Sequence, residues 1–220
     1  MKLFKVALLV VSTFLFALPS IAQTVDPLWS KTLAHAAQVK TWAPENKEVS
    51  ADSTKDGKHQ TIKTRSRLQG WEKGKPVYDT VQIEPKPEAA NPAAKKKGEM
   101  PDVTAMTDAL MRPNAPVRRT EGQSLHGKSW TLFEVAESDG PGEMTIRLWV
   151  DPQTGVAHQV ESKVHGPLMF DAVMTTEYAP HPLAGSLPQR MDLMLKVLMP
   201  FKKSTAHVVG TMDNWIPRPN

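Results

Sequence analysis

The strongest constraint in this chain is a run of alternation interrupted by a single turn. Met144, Ile146, Leu148 and Val150 recur at period two, and Val156, His158, Val160, Ser162 and Val164 do the same beyond Asp151-Pro152-Gln153-Thr154-Gly155. Period two places alternate side chains on opposite faces of a strand. The intervening pentapeptide supplies proline where a type I turn fixes φ and glycine where the chain takes a positive φ. The segment therefore predicts a hairpin, and hairpin-linked strands predict an antiparallel sheet with one buried face.

Further β signals flank it. Trp130–Val135, Leu168–Tyr178 and Thr205–Met212 read as strands. In the N-terminal half, Ile62, Thr64, Ser66 and Leu68 alternate with Lys63, Arg65 and Arg67, giving one moderately apolar face and one basic face. Val77, Val81 and Ile83 continue the β character.

Helical signals are fewer. Asp26-Pro27 combines an acidic N-cap with proline at the first helical position, and Leu28, Trp29, Leu33, Ala36, Ala37 and Val39 fill an apolar stripe before Pro44. A short helix is expected from Asp102 to about Met111, ended by Arg112-Pro113. Leu187, Met191, Met194, Leu195 and Leu198 are spaced by four, three, one and three, which predicts a third, methionine-rich helix over Leu187–Met199.

The N-terminus is a three-part export signal: Lys2 and Lys5, an apolar run from Val6 to Leu18, then Pro19-Ser20-Ile21-Ala22. The run is 13 residues long, short of the about 20 needed to cross a bilayer core. Cleavage after Ala22 (residues 1–22) leaves 23–220 as one domain, and no cysteine is present for lipid attachment. The cysteine-free composition also excludes disulfides and thiolate metal sites. Net charge is +4, falling to +2 without Lys2 and Lys5, too little to argue for nucleic acid. From Glu84 to Pro101 the composition turns to Pro85, Pro87, Pro92, alanines and Lys95-Lys96-Lys97, the composition of a flexible insertion (84–101).

Together these elements predict an α+β fold: a curved, mainly antiparallel sheet forming an open (half) β-barrel, with two or three helices covering the concave face. The export signal, the early helix and the stretch Arg147-Leu148-Trp149-Val150-Asp151-Pro152-Gln153-Thr154-Gly155 resemble the LolA-like family of periplasmic proteins. That family includes the outer-membrane lipoprotein carrier and receptor and a lipid-sensing regulator of an envelope stress pathway. The resemblance implies an apolar half-barrel that shelters acyl chains; no residue role is carried over, including that of the carrier's arginine, onto Arg65, Arg67 or Arg147.

An acyl-binding cavity needs adaptable apolar side chains, and methionine is the most adaptable. The candidates are Met169, Phe170, Met174, Met191, Met194, Leu195, Leu198 and Met199, which serve equally well as ordinary core. Lys63, Arg65 and Arg67 are candidates for contact with lipid headgroups or a partner, set against a simply solvated face. Trp42, Trp71 and Trp149 suit a cavity mouth or rim packing. The histidines show no zinc-ligand spacing, and a strand through His158 and His165 would point them to opposite sides. No nucleophile elbow or phosphate-cradling loop is present. The chain is accordingly expected to be a non-enzymatic periplasmic protein without cofactor or metal. Its partners would be a lipid or the acyl chain of a lipoprotein, with peripheral membrane contact as a further expectation; the alternative readings are an envelope interaction or regulatory protein with the same fold and a filled core, and, third, an unrecognised hydrolase.

Overall fold

The computed structural model describes residues 26–55, 57–85, 103–137, 142–166, 170–199 and 202–219. The export signal, most of the Pro- and Lys-rich insertion, and Met169 lie outside the described residues. The elements are α1 (Pro27–Val39), β1 (Trp42–Lys55), β2 (Lys58–Glu72), β3 (Lys75–Glu84), α2 (Val103–Leu110), β4 (Val117–Leu125), β5 (Lys128–Glu137), β6 (Glu143–Val150), β7 (Ala157–Gly166), β8 (Phe170–His181), β9 (Gly185–Met199) and β10 (Lys202–Pro217).

All ten strands form one open antiparallel sheet in the order β3-β2-β1-β10-β9-β8-β7-β6-β5-β4. Each half is a meander, and the two halves are joined by β1 pairing with β10, the first described strand against the last. That pairing closes a sequence separation of about the whole domain, so it depends on tertiary contacts rather than on a local turn.

Both described helices pack on the same face of the sheet, where the core lies. Leu28 and Trp29 of α1 and Val103 and Leu110 of α2 join Phe133, Val135, Ile146, Leu148, Val150, Val160, Val164, Ala172, Met174 and Leu195 in one buried cluster. The alternation read from sequence holds in β6, where Met144, Ile146, Leu148 and Val150 are buried and their neighbours are only partly so. On the opposite face, Arg147 reaches Glu134 at 2.8 Å on β5 and Glu161 at 3.7 Å on β7. A cross-strand charge ladder of this kind is solvated and contributes little stability, but it fixes which face stays wet.

The third expected helix is absent: Leu187–Met199 lies in β9, hydrogen-bonded to β8 on one side and β10 on the other. The same residues satisfy a second period, with Leu187, Met191, Leu193, Leu195 and Val197 all odd-numbered. Strand β8 pairs along the segment and β10 pairs with it from Arg190 onward; beyond a register shift at Gln189, the odd-numbered residues from Met191 onward face the helices. Leu193 stands opposite Met174, and Leu195 opposite Ala172. Two further strands, β1 directly after α1 and β4 after α2, carry too little apolar alternation to have been separated from loop.

α1 begins where the sequence places it. The Asp26 carboxylate accepts hydrogen bonds from Leu28 N (2.7 Å) and Trp29 N (3.1 Å), filling two of the helix's orphan donors. Burial alone would raise the Asp26 pKa, but the Trp29 N–H, Arg119 and the Leu28 N–H together hold it below its ordinary value. The indole of Trp29 is 1% exposed, meets Phe133 edge-on at 5.2 Å and donates to the Arg112 carbonyl at 3.2 Å.

The Asp151–Gly155 turn joins β6 to β7 and packs directly beneath α1. Asp151 Oδ1 accepts from Gln153 N, Thr154 N and Thr154 Oγ1 at 2.8 to 3.0 Å, and Lys31 Nζ donates to the Gln153 carbonyl at 2.9 Å. Gly155 has φ +73°, and a Cβ there would lie 2.9 Å from Lys31 Cβ, 3.0 Å from Thr32 N and 3.1 Å from Leu28 O. Gly127, in the β4–β5 turn, has the same φ of +73° with nothing within 4 Å. The pair separates backbone strain from crowding. In urea denaturation, Gly127→Ala is expected to cost about 1–2 kcal/mol, the price of φ alone. Gly155→Ala is expected to cost about 1–3 kcal/mol more, because helix backbone must also move. Equal losses would show that α1 does not rest on this turn.

Candidate functional site

Where α1 and α2 diverge over the sheet they leave a cavity of about 380 Å³. Its roof is Thr32, His35, Ala36 and Val39 of α1 with Thr107 and Asp108 of α2; its floor includes Leu148, Val160, Met174, Met191 and Met212. The volume falls in the ordinary range of small-molecule sites, ~300–1,000 Å³, and the lining is predominantly apolar. Two other depressions, of about 510 and 680 Å³, lie on the opposite face and are shallow and more polar.

The buried polar groups of the roof are occupied. Thr32 Oγ1 donates to the Leu28 carbonyl at 3.0 Å, and Thr107 Oγ1 reaches the Val103 carbonyl at 2.7 Å and Ser162 Oγ at 2.8 Å. His35 Nε2 donates to the Ser186 carbonyl at 3.1 Å, which places the ring proton on that nitrogen. Ser186 Oγ lies 3.4 Å from the same nitrogen but donates to the Ala157 carbonyl at 2.6 Å. The serine hydroxyl is thus committed to a carbonyl, and the imidazole Nε2 is a donor rather than a base, the reverse of what a nucleophile needs. Burial pushes the Tyr178 phenol up to about 12, so it is a neutral part of the wall.

The sequence candidates separate into groups. Met174 and Met191 line the cavity. Leu195 is buried in the adjacent core, with Phe170 packed against it. Met194 is a correction: it points to the far face, 43% exposed beside Val173, because strand alternation turns it away from Leu193 and Leu195. Leu198 and Met199 belong to β9, with side chains outside the described residues. Lys63, Arg65 and Arg67 also lie on the far face of β2, where Arg65 pairs with Glu48 at 2.6 Å and Arg67 with Glu45 at 3.1 Å. They are thus remote from the cavity.

None of Trp42, Trp71 and Trp149 lines the cavity; Trp42 packs edge-on against His181 at 4.8 Å. The expected opposition of His158 and His165 also fails. A register shift opposite Trp149 and Val150 adds a residue to β7, and His158 stacks on Trp130 at 4.3 Å on the same far face as His165. His165 meets Asp171 there at 2.5 Å. Among the described residues no group of three metal-ligating side chains forms.

Sequence reasoning missed Lys47, which lines the cavity from β1. The available signal was its phase, since Lys47 shares odd numbering with Val49 and Ala51. It also missed His35, whose ring is only 7% exposed.

Burial holds the His35 pKa below its ordinary 6.5, against the opposing hydrogen bonds to the Ser186 and Ala184 carbonyls. Burial, with His126 and Lys128, does the same for His158, against Glu177. A group whose folded pKa is depressed binds fewer protons folded than unfolded, so stability is full above the unfolded value and falls as pH drops through about 6.5 toward the folded one. His35→Gln keeps a donor for Ser186 but cannot titrate. Urea denaturation from pH 7.5 to pH 5 is expected to show a smaller loss of stability in His35→Gln than in the native chain, and an unchanged slope would mean His35 is not buried neutral.

No protein-family model and no curated protein matches the sequence. Among solved structures, the chain is similar to a DUF1329 family protein from Desulfovibrio piger, at 11% identity and TM-score 0.42 over 88% of this chain and 92% of that one. It is similar more distantly to the Pseudomonas aeruginosa MucA/MucB complex, at 8% identity and TM-score 0.23 over 87% of this chain and 99% of that one. A second structure, MucB in complex with MucA(peri), aligns at 8% identity and TM-score 0.22, again over 87% and 99%. At this level of similarity the neighbours carry no inference about what this chain binds.

Proposed function

We propose that the protein is exported to the periplasm and there binds an acyl chain or similar apolar ligand between its two helices and the sheet, without catalysing a reaction. The observation that carries the reading is the apolar cavity of about 380 Å³ floored by Met174, Met191 and Met212. Flexible thioether side chains adapt to a chain of variable conformation at little cost. Removal of the ligand's apolar surface from water supplies the driving force, about 25 cal/mol per Å².

The localisation rests on the sequence pattern of residues 1–22, and no described helix is long and apolar enough to cross a membrane. The non-catalytic reading is supported by the hydroxyls of Thr32, Thr107 and Ser186 and the His35 imidazole, each of which donates its proton to a backbone carbonyl. Acyl-chain handling also agrees with the family resemblance of the Leu148–Gly155 corner.

The protein purified from periplasm without detergent is expected to release an acyl-bearing lipid on solvent extraction, in near-stoichiometric amount. Ala36→Phe, which places a ring in the cavity from α1, is expected to reduce that yield and to weaken binding of added amphiphile by about ten-fold, roughly 1.4 kcal/mol, while leaving a cooperative thermal transition. Absence of lipid and of amphiphile binding in the native chain would overturn the reading in favour of a filled core that serves a protein partner.

A further inference from the structure

Lys47 projects from β1 on the helix-covered side, paired in register with Met212 of β10 and Ser66 of β2. Its ammonium sits 3.7 Å from the centre of the Tyr78 ring, and the Tyr78 hydroxyl is anchored by donating to the Pro44 carbonyl at 3.0 Å. The arrangement holds the lysine at the cavity wall rather than letting it reach into solvent.

The charges around it do not balance. Lys40 and Asp108, the other charged groups of the lining, pair with each other at 3.0 Å, and the buried His35 is neutral. Among the described residues no carboxylate pairs with Lys47, and burial alone lowers its pKa. The lining therefore carries one cation in excess, partly desolvated and stabilised only by an aromatic face. A half-buried ammonium of this kind is costly unless an anion meets it.

We propose that Lys47 receives the anionic head of an amphiphile whose chain occupies the cavity, so that the ligand class is a single-chain carboxylate or phosphate ester. The inference rests on the proposed acyl-binding function and adds the head-group chemistry. The same ammonium can pair with a fatty acid carboxylate or a lipid phosphate, since both offer oxygen acceptors to a compact point charge. The Tyr78 ring fixes the direction from which the head enters, and the two helices cover the chain beyond it.

The test is a calorimetric titration of the full mature chain with dodecanoate, dodecyl phosphate and dodecanol, which share a chain and differ in the head. The native protein is expected to bind at least one of the two anions about ten-fold more tightly than the alcohol, and the tighter anion identifies the source. Lys47→Met, which keeps the apolar stem, is expected to lower the anion to the level of the alcohol and to leave dodecanol within about two-fold of its native affinity. Lys47→Arg is expected to keep the preference. Equal binding of all three ligands by the native protein, or a parallel loss of dodecanol in Lys47→Met, would overturn the head-group role while sparing the cavity. Failure of every amphiphile to bind would overturn the acyl-binding reading itself.

Discussion

The burial of α1 against the sheet is the interaction on which the rest of the molecule depends. Trp29 enters the core between Phe133 and the Arg112 carbonyl, and the helix lies so close to the Asp151–Gly155 turn that no Cβ fits between them. A large ring buried in this way typically carries about 3–5 kcal/mol of stability. Asp26 caps the helix and also meets Arg119 of β4 at 3.1 Å, tying the helix start to the sheet edge. The helix is thereby held at one end, over β5–β7.

The cavity follows from that placement. With its first turn fixed against the core, α1 runs from β7 toward β9, beyond which the sheet continues through β10 into β1–β3. Leu28 and Trp29 at the start of the helix are buried, whereas Ala36 and Val39 at its end look onto open space shared with α2. An apolar gap of that size forfeits dispersion contacts unless something fills it. A bound chain would supply those contacts at the place where sheet and helices separate.

The elements legible in the sequence are those whose determinants are local. The hairpin from Met144 to Val164 combines alternation with a turn whose residues specify its geometry, and α1 combines a cap, Pro27 and an apolar stripe. The segment Leu187–Met199 was not legible, because Leu187, Met191 and Leu195, four residues apart and all odd-numbered, fit a helical and an extended period at once. What decides between them is β8 and β10 on either side, a pairing fixed by distant residues. The same error misassigned Met194, since a helix would have turned it toward the core. Met191 faces inward whether its segment is read as helix or strand, and Met174, read as strand from the outset, lines the same cavity. Lys47 was passed over because charge ordinarily marks a solvent-facing residue, and only its phase with Val49 and Ala51 marks the inner face.

The most direct measurement of the central claim uses the methionines as reporters. With methyl-labelled methionine, the Met174, Met191 and Met212 resonances of the lipid-stripped chain are predicted to shift on addition of dodecanoate, while Met194, on the opposite face of β9, stays in place. Unmoved signals from the three cavity methionines, or movement of Met194 alone, would contradict binding between the helices and the sheet.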